Sequence, residues 1–256
     1  MKKGICHICG KGRKLSEEHT PPRSSGNSLP AIKLPLTKVL QDGRIDFRGQ
    51  YPDREGLRYP TLCESCNQFT GNNYVKDFSE FCLKGSFVQS KSISILPVAE
   101  IYPLRIIKEI FVIMCAISSD GWIQKVKGLK DFLLNKYRTK LDYSFKMYMY
   151  LLAGSIGRSI GGSMVGDDRN SFHYVSEFSF PPFGFVLTED GFQPDRRLKD
   201  ITYFREFGYS DRHEFTLELN VLPNRTYYPL SFNENDPKYN YCLLGAATDI
   251  HLRTEN

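Results

Sequence analysis

Cys6-His7-Ile8-Cys9-Gly10 and Cys63-Glu64-Ser65-Cys66-Asn67 decide how this chain is read: two Cys-x-x-Cys pairs bracket residues 10–62. Two residues between thiolates let both sulfurs reach one tetrahedral zinc, with the amides of the turn pointing at them. Gly10 supplies the backbone freedom that such a turn needs. Between the pairs, Pro21-Pro22, Ser24-Ser25-Gly26-Asn27-Ser28, Asp42-Gly43 and Pro52-Asp53 punctuate the chain at short intervals. A segment so rich in turns buries little apolar surface. A zinc held jointly by Cys6, Cys9, Cys63 and Cys66 is therefore expected to staple it. Four thiolates leave no open coordination position, so this zinc is expected to hold the fold and do no chemistry.

Composition agrees with a globular chain. Of 256 residues, 41% are hydrophobic and 25% charged, ordinary values that argue against long-range disorder. The longest apolar run, Ile110 to Ile117, falls far short of the roughly 20 residues that span a bilayer. Met1-Lys2-Lys3-Gly4 leads into the first cysteine pair and not into an apolar leader. A cytoplasmic protein with no membrane partner is the expectation. The formal net charge is +5, and residues 1–80 hold 13 Lys and Arg against 9 Asp and Glu. The excess leans toward a polyanionic partner for that part of the chain. The remaining cysteines, Cys82, Cys115 and Cys242, stand in apolar surroundings and read as buried thiols.

Beyond the second pair the pattern changes. Tyr74, Val75, Phe78, Phe81 and Cys82 recur at helical spacing over residues 72–83, and Gly85 reads as the helix stop and module boundary. Pro103 opens a largely buried helix to Ile117, with Lys108 and Glu109 expected to face outward. A short helix is expected over 129–137. Strand-like runs follow at 145–152, 172–180, 183–187 and 215–221, with a capped helical turn over 200–207. The fold class expected is α+β: a small zinc-stapled module over 1–84, then a mixed α+β domain with a mainly antiparallel sheet over 85–256. The glycine-rich stretch 154–162 lacks the ending of a phosphate loop and reads as a turn beside strands. Phe178, Phe180, Phe183 and Phe185 around Pro181-Pro182 read as core at a strand bend, and Asp167-Asp168 as a turn.

Chemistry is suggested by Ser16-Glu17-Glu18-His19-Thr20-Pro21-Pro22-Arg23-Ser24. If one zinc joins both knuckles, Glu18-His19 and Asn67 come close together. A carboxylate and an amide oxygen are hard ligands suited to Mg²⁺. A neutral imidazole beside them can deprotonate water.

Cys-x-x-Cys-Gly, then Glu-His-x-Pro-Pro-Arg-Ser, then Cys-x-x-Cys-Asn resembles the four-cysteine, zinc-ribbon branch of the HNH endonucleases, over residues 4–75. The resemblance implies a ββα-metal module in which His19 is the general base and Glu18 and Asn67 hold a catalytic Mg²⁺ or Mn²⁺. Cys6, Cys9, Cys63 and Cys66 match the structural zinc ligands. The activity implied is metal-dependent hydrolysis of nucleic-acid phosphodiesters, with DNA as the expected substrate. A small nuclease with a second domain of its own is similar to bacterial genome-conflict proteins such as anti-phage effectors.

Two departures stand out. The family's middle asparagine, which braces the loop carrying the base, is expected about five residues before the second knuckle. Arg58-Tyr59 stands there instead. The stretch from Gly26 to Arg58 is also long for the family, and Lys33, Lys38, Arg44, Arg48, Arg54 and Arg58 in it are candidates for phosphate contacts. Arg23 is a candidate clamp on the scissile or a neighbouring phosphate. The rival reading is a zinc module that binds nucleic acid or docks a partner without catalysis. Residues 85–256 carry no motif of chemistry and are expected to target, regulate or dimerise, through a second copy or a regulatory protein.

Overall fold

The computed structural model describes residues 3–35, 53–91, 95–118, 126–142, 144–153, 156–166, 171–189, 192–222 and 247–252. It is a mixed α+β fold built on antiparallel sheets. Lys38, Arg44, Arg48, Cys242 and the Asp167-Asp168 turn lie outside the described residues, as do Gly154 and Ser155.

The first sheet has the order β1-β2-β4, from Lys3–Ile5, Gly12–His19 and Arg58–Cys63. The strands pair antiparallel, Ile5 with Gly12 and Leu15 with Cys63. The register shifts between Ser16 and Glu18, where two steps of β2 face three steps of β4 from Leu62 to Tyr59, so β4 carries the bulge. Bulges bend the strand that carries them, and this one lies on β4 opposite the step of β2 that leads into Glu18 and His19.

Cys63 ends β4 in an extended conformation, and α1 begins at the next residue, running Glu64–Thr70. Glu64 in its first turn suits the positive end of the helix dipole. One widened, π-type turn at Gly71–Val75 carries α1 into α2, Lys76–Ser90. The helix expected over 72–83 is thus the middle of a longer one. Gly85 does not stop it. Gly85 is buried within α2 because a Cβ there would lie 2.2 Å from Cζ of Phe183, so the glycine marks a close approach to a ring and not a terminus.

The second sheet has eight strands in the order β10-β6-β9-β8-β7-β13-β3, with β12 beside β6. Its members are β3 Ala31–Pro35, β6 Phe145–Leu152, β7 Ile156–Gly166, β8 Phe172–Phe180, β9 Phe183–Glu189, β10 Lys199–Asp200, β12 Val221–Leu222 and β13 Ala247–Leu252. All its pairings are antiparallel except β12 on β6. β3, from the first third of the chain, pairs with β13 near its end. Pro181-Pro182 makes the β8–β9 bend, and the four phenylalanines around it are buried as expected. Of the glycine-rich stretch, residues 156–162 form strand β7 and not a turn, with a bulge between Ile160 and Ser163. A two-stranded ribbon pairs β5, Ile95–Ile101, with β11, His213–Glu218.

α3, Pro103–Ile117, spans the predicted residues and runs through the middle of the molecule; of its residues only Arg105 escapes burial. Lys108 and Glu109 are therefore inside, contrary to the outward placement expected from sequence. With β4, β7, β8, α2 and the 202–206 segment all packed against it, the helix has no solvent face. Full burial of each Ile or Met on it contributes about 1.5–3 kcal/mol, and several together outweigh two polar intruders. α4 is shorter than expected, Leu129–Leu134. The 200–207 segment is a 3₁₀ turn, Thr202–Glu206, whose Thr202 amide donates to Asp200 Oδ1 at 2.7 Å. One apolar cluster runs unbroken from Cys6 and Leu15 through Phe78 and Ile110 to Phe185 and Leu219. Among the described residues no helix is long and apolar enough to cross a membrane.

Candidate metal centre and cleft

The β1–β2 connection and the β4–α1 junction bring Cys6, Cys9, Cys63 and Cys66 together, with all four sulfurs within 4.8 Å of one another. Tetrahedral zinc with bonds of about 2.3 Å sets sulfurs a little under 4 Å apart; Cys9 and Cys63 Sγ are 3.9 Å apart. Gly10 takes φ +69°, the left-handed turn expected of it. The Cys6 thiol is pulled down to about 4, first by a hydrogen bond from Cys66 and further by the amides of Cys63, Cys9 and Ile8, against burial. Cys66, donating to that thiolate, is pushed up. The four cysteines are thus positioned to bind a metal ion such as zinc, with one thiolate favoured before any ion arrives. Cys82 and Cys115 are buried and stand outside the group. His7 is not a ligand in this arrangement: its Nδ1 lies 2.8 Å from the carbonyl of Cys115, near the end of α3.

A separate open cleft of about 520 Å³ lies where β2 ends beside α1, and Glu18, His19, Arg23 and Asn67 all line it. Three residue types expected to work together therefore share one wall. His19 Nε2 is 2.9 Å from the carbonyl oxygen of Glu55. A carbonyl only accepts, so Nε2 carries the hydrogen and Nδ1 is left as the basic nitrogen. Glu18 Oε2 is buried and has no hydrogen-bond partner. Burial raises this carboxyl to about 7, and a hydrogen bond with Asn67 moderates the rise. Asn67 also donates from Nδ2 to Ser16 Oγ at 3.2 Å, which orients its amide. The orphaned carboxylate oxygen of Glu18 is a hard donor, and the Asn67 carboxamide stands beside it, a pair of side chains that fits a hard divalent cation once the amide presents its oxygen. Behind Glu18, the Glu109 carboxyl on α3 is buried with an unpartnered Oε2. Burial, then repulsion from Glu18, holds it well above the usual carboxylate range.

Asn27 braces this part of the chain. Fully buried, it donates from Nδ2 to the carbonyls of Pro21 at 2.7 Å and Leu57 at 2.9 Å, and accepts from the Leu57 amide at 2.7 Å. It thereby ties the loop after His19 to the strand that follows Glu55. Ser24 Oγ, 2.6 Å from Ser79 Oγ, fixes the same loop to α2. In the sequence Asn27 sits among turn formers, Ser-Ser-Gly-Asn-Ser, where an asparagine reads as a local turn residue.

The basic residues divide. Arg23 is exposed in the cleft, with no ion-pair partner among the described residues. Arg58 is engaged by carboxylates: it pairs with Glu17 at 2.9 Å and Asp53 at 3.0 Å, and also with Glu55. A guanidinium so occupied is a brace for the hairpin, not the phosphate contact suggested by its place in the basic stretch. Lys33 lies on β3, with its side chain outside the description.

No protein-family model, curated protein or solved structure matches this chain.

Proposed function

We propose that the chain is a metal-dependent endonuclease of the HNH type, hydrolysing phosphodiester bonds of nucleic acid, with DNA the expected substrate. The observation that carries this reading is the convergence in one cleft of an imidazole with a free basic nitrogen, an orphaned carboxylate and an oriented amide. They stand on two antiparallel strands and a following helix, stapled by four cysteines. Glu18 and Asn67 would hold a divalent ion, which supplies positive charge to the departing 3′ oxygen. His19 Nδ1 takes a proton from water as its oxygen bonds to phosphorus. The P–O3′ bond breaks, leaving a 5′-phosphate and a 3′-oxygen that is protonated from solvent. Asn27 and the Glu55 carbonyl hold the imidazole in place, and Arg23 is poised to meet a phosphate oxygen. The cysteine-bound zinc takes no part in these steps.

The test is incubation of zinc-loaded protein with supercoiled plasmid, linear duplex, single-stranded DNA and RNA, each with Mg²⁺ or Mn²⁺, beside His19→Ala. Cleavage that needs the added metal and is lost in a folded, zinc-replete His19→Ala protein is expected. Equal cutting by the variant would remove His19 as the base. Binding without cutting by either protein would favour a non-catalytic zinc module.

A further inference from the structure

Away from the cleft, residues of the second part of the chain build a surface of rings and cations. Arg105 lies between Tyr102 and Tyr209, its Cζ 3.8 Å and 4.1 Å from their ring centroids. Lys136 Nζ stands 4.9 Å from the Tyr209 ring and 5.2 Å from that of Tyr137. Tyr137 meets Tyr209 edge to face, centroids 5.5 Å apart, and keeps 66% of its surface in water. A tyrosine ring fixed by these contacts and still two-thirds exposed offers π surface to a planar partner.

Two further observations say what the surface is for. First, its rigidity is built from below. The buried ammonium of Lys108 donates to the carbonyls of Asn135 at 2.7 Å and Lys136 at 3.1 Å, fixing the chain that presents Tyr137. Second, its charge is unbalanced. Arg105 pairs with Asp77, but Lys136 has no carboxylate partner among the described residues. The surface is also fastened to the helix that carries Asn67: Tyr209 Oη lies 3.1 Å from Asn73 Oδ1, and Arg105 reaches Asp77. Asn73 is six residues beyond Asn67, about 9 Å along a helix axis.

We infer that Tyr137, Lys136 and Tyr209 form a stacking platform for a single nucleic-acid strand, which holds the strand running to or from the cleft. This rests on the nucleic-acid reading of the cleft and gives residues 85–256 a share in substrate binding. A base stacks on the exposed ring of Tyr137 and a phosphate lies against Lys136. Every base has such a face, so the platform tolerates any sequence.

The experiment measures binding alone. Zinc-loaded His19→Ala protein is titrated into a fluorescein-labelled single-stranded DNA oligonucleotide, read by anisotropy at several salt concentrations, with Tyr137→Ala, Tyr137→Phe and Lys136→Glu added in turn. Tyr137→Ala is expected to weaken binding about 5- to 100-fold, while Tyr137→Phe keeps the affinity. Lys136→Glu should weaken it and flatten its salt dependence. Unchanged affinity in both Tyr137→Ala and Lys136→Glu, with melting temperatures like the parent's, overturns the platform. So does polyglutamate binding that these substitutions weaken while DNA binding stays as it was. The two readings fail separately. Cleavage by wild type and by Tyr137→Ala alike, with equal affinity, removes the platform and leaves the nuclease. Platform-dependent binding without cleavage on any substrate removes the nuclease and leaves the platform.

Discussion

Replacing Glu18 by glutamine tests the cleft without first asking for catalysis. Burial raises the Glu18 carboxyl from 4.5 to about 7. The folded chain then holds this proton more tightly than the unfolded one. The stability it contributes is complete below pH 4.5 and is lost as pH rises toward and past 7. A displacement of that size carries about 3 kcal/mol, less where water reaches the carboxyl. Above pH 7 the ionised Glu18 is a cost, and a bound divalent ion relieves it. Three outcomes are expected from urea melts of desalted, zinc-loaded protein across pH 5–8.5. Wild type loses stability with rising pH more steeply than Glu18→Gln, the difference holding Glu18 together with the part of the Glu109 shift that comes from Glu18 repulsion. At pH 8 the variant is the more stable, by about 2–3 kcal/mol. Millimolar Mn²⁺ stabilises wild type at pH 8, less at pH 6 where the carboxyl is protonated, and leaves the variant unmoved. Parallel pH profiles, or equal stabilisation of both proteins by Mn²⁺, would refute the placement of a cation on Glu18.

Asn27→Ala leaves the Leu57 amide and the carbonyls of Pro21 and Leu57 without their buried partner, and should cost about 3–5 kcal/mol in denaturant melts. On the nuclease reading, kcat of the folded fraction should fall with KM nearly unchanged, because the loop after His19 loses its tie. Gly85→Ala drives a methyl into the Phe183 ring and should destabilise by about 1–3 kcal/mol; Phe183→Leu added to it should restore part of the loss. Cys66→Ser removes one sulfur of the metal group and should lower zinc content by mass spectrometry. It should also shift a single cooperative melt of the whole chain, since the apolar cluster is continuous from Cys6 to Leu219. A separate early transition covering only the N-terminal third would contradict that coupling.

The frame of the cleft was legible because metal ligation forces spacing. Two Cys-x-x-Cys pairs name their own partners, and once joined they carry Asn67 to the end of β2. The long α3 and the strands β6 and β8 were legible because proline, periodicity and alternation agree there. What failed did so where an isolated residue has two local meanings. Gly85 has the form of a helix stop, yet the reason for it is Phe183, 98 positions away. Lys108 and Glu109 have the form of a solvent stripe, since periodicity in one helix cannot show that its other side is covered too.

Asn27 was illegible for the same reason in sharper form. A brace is defined by what it ties, and its partners at Pro21 and Leu57 lie on opposite sides of it in the chain. Geometry needs an amide that can donate twice and accept once at the centre of a closed loop. It does not need that amide at a fixed distance from the second cysteine pair. With Arg58 drawn into an ion-pair network by Glu17, Asp53 and Glu55, the position before the knuckle has a different task, tying the two strands of the hairpin together at its open end. The loop that follows His19 is then held from within by Asn27 and from α2 by Ser79. His19, the proposed base, is consequently held through residues from three separate stretches of the chain, Asn27, Glu55 and Ser79. Loss of any one should loosen His19 without touching the zinc.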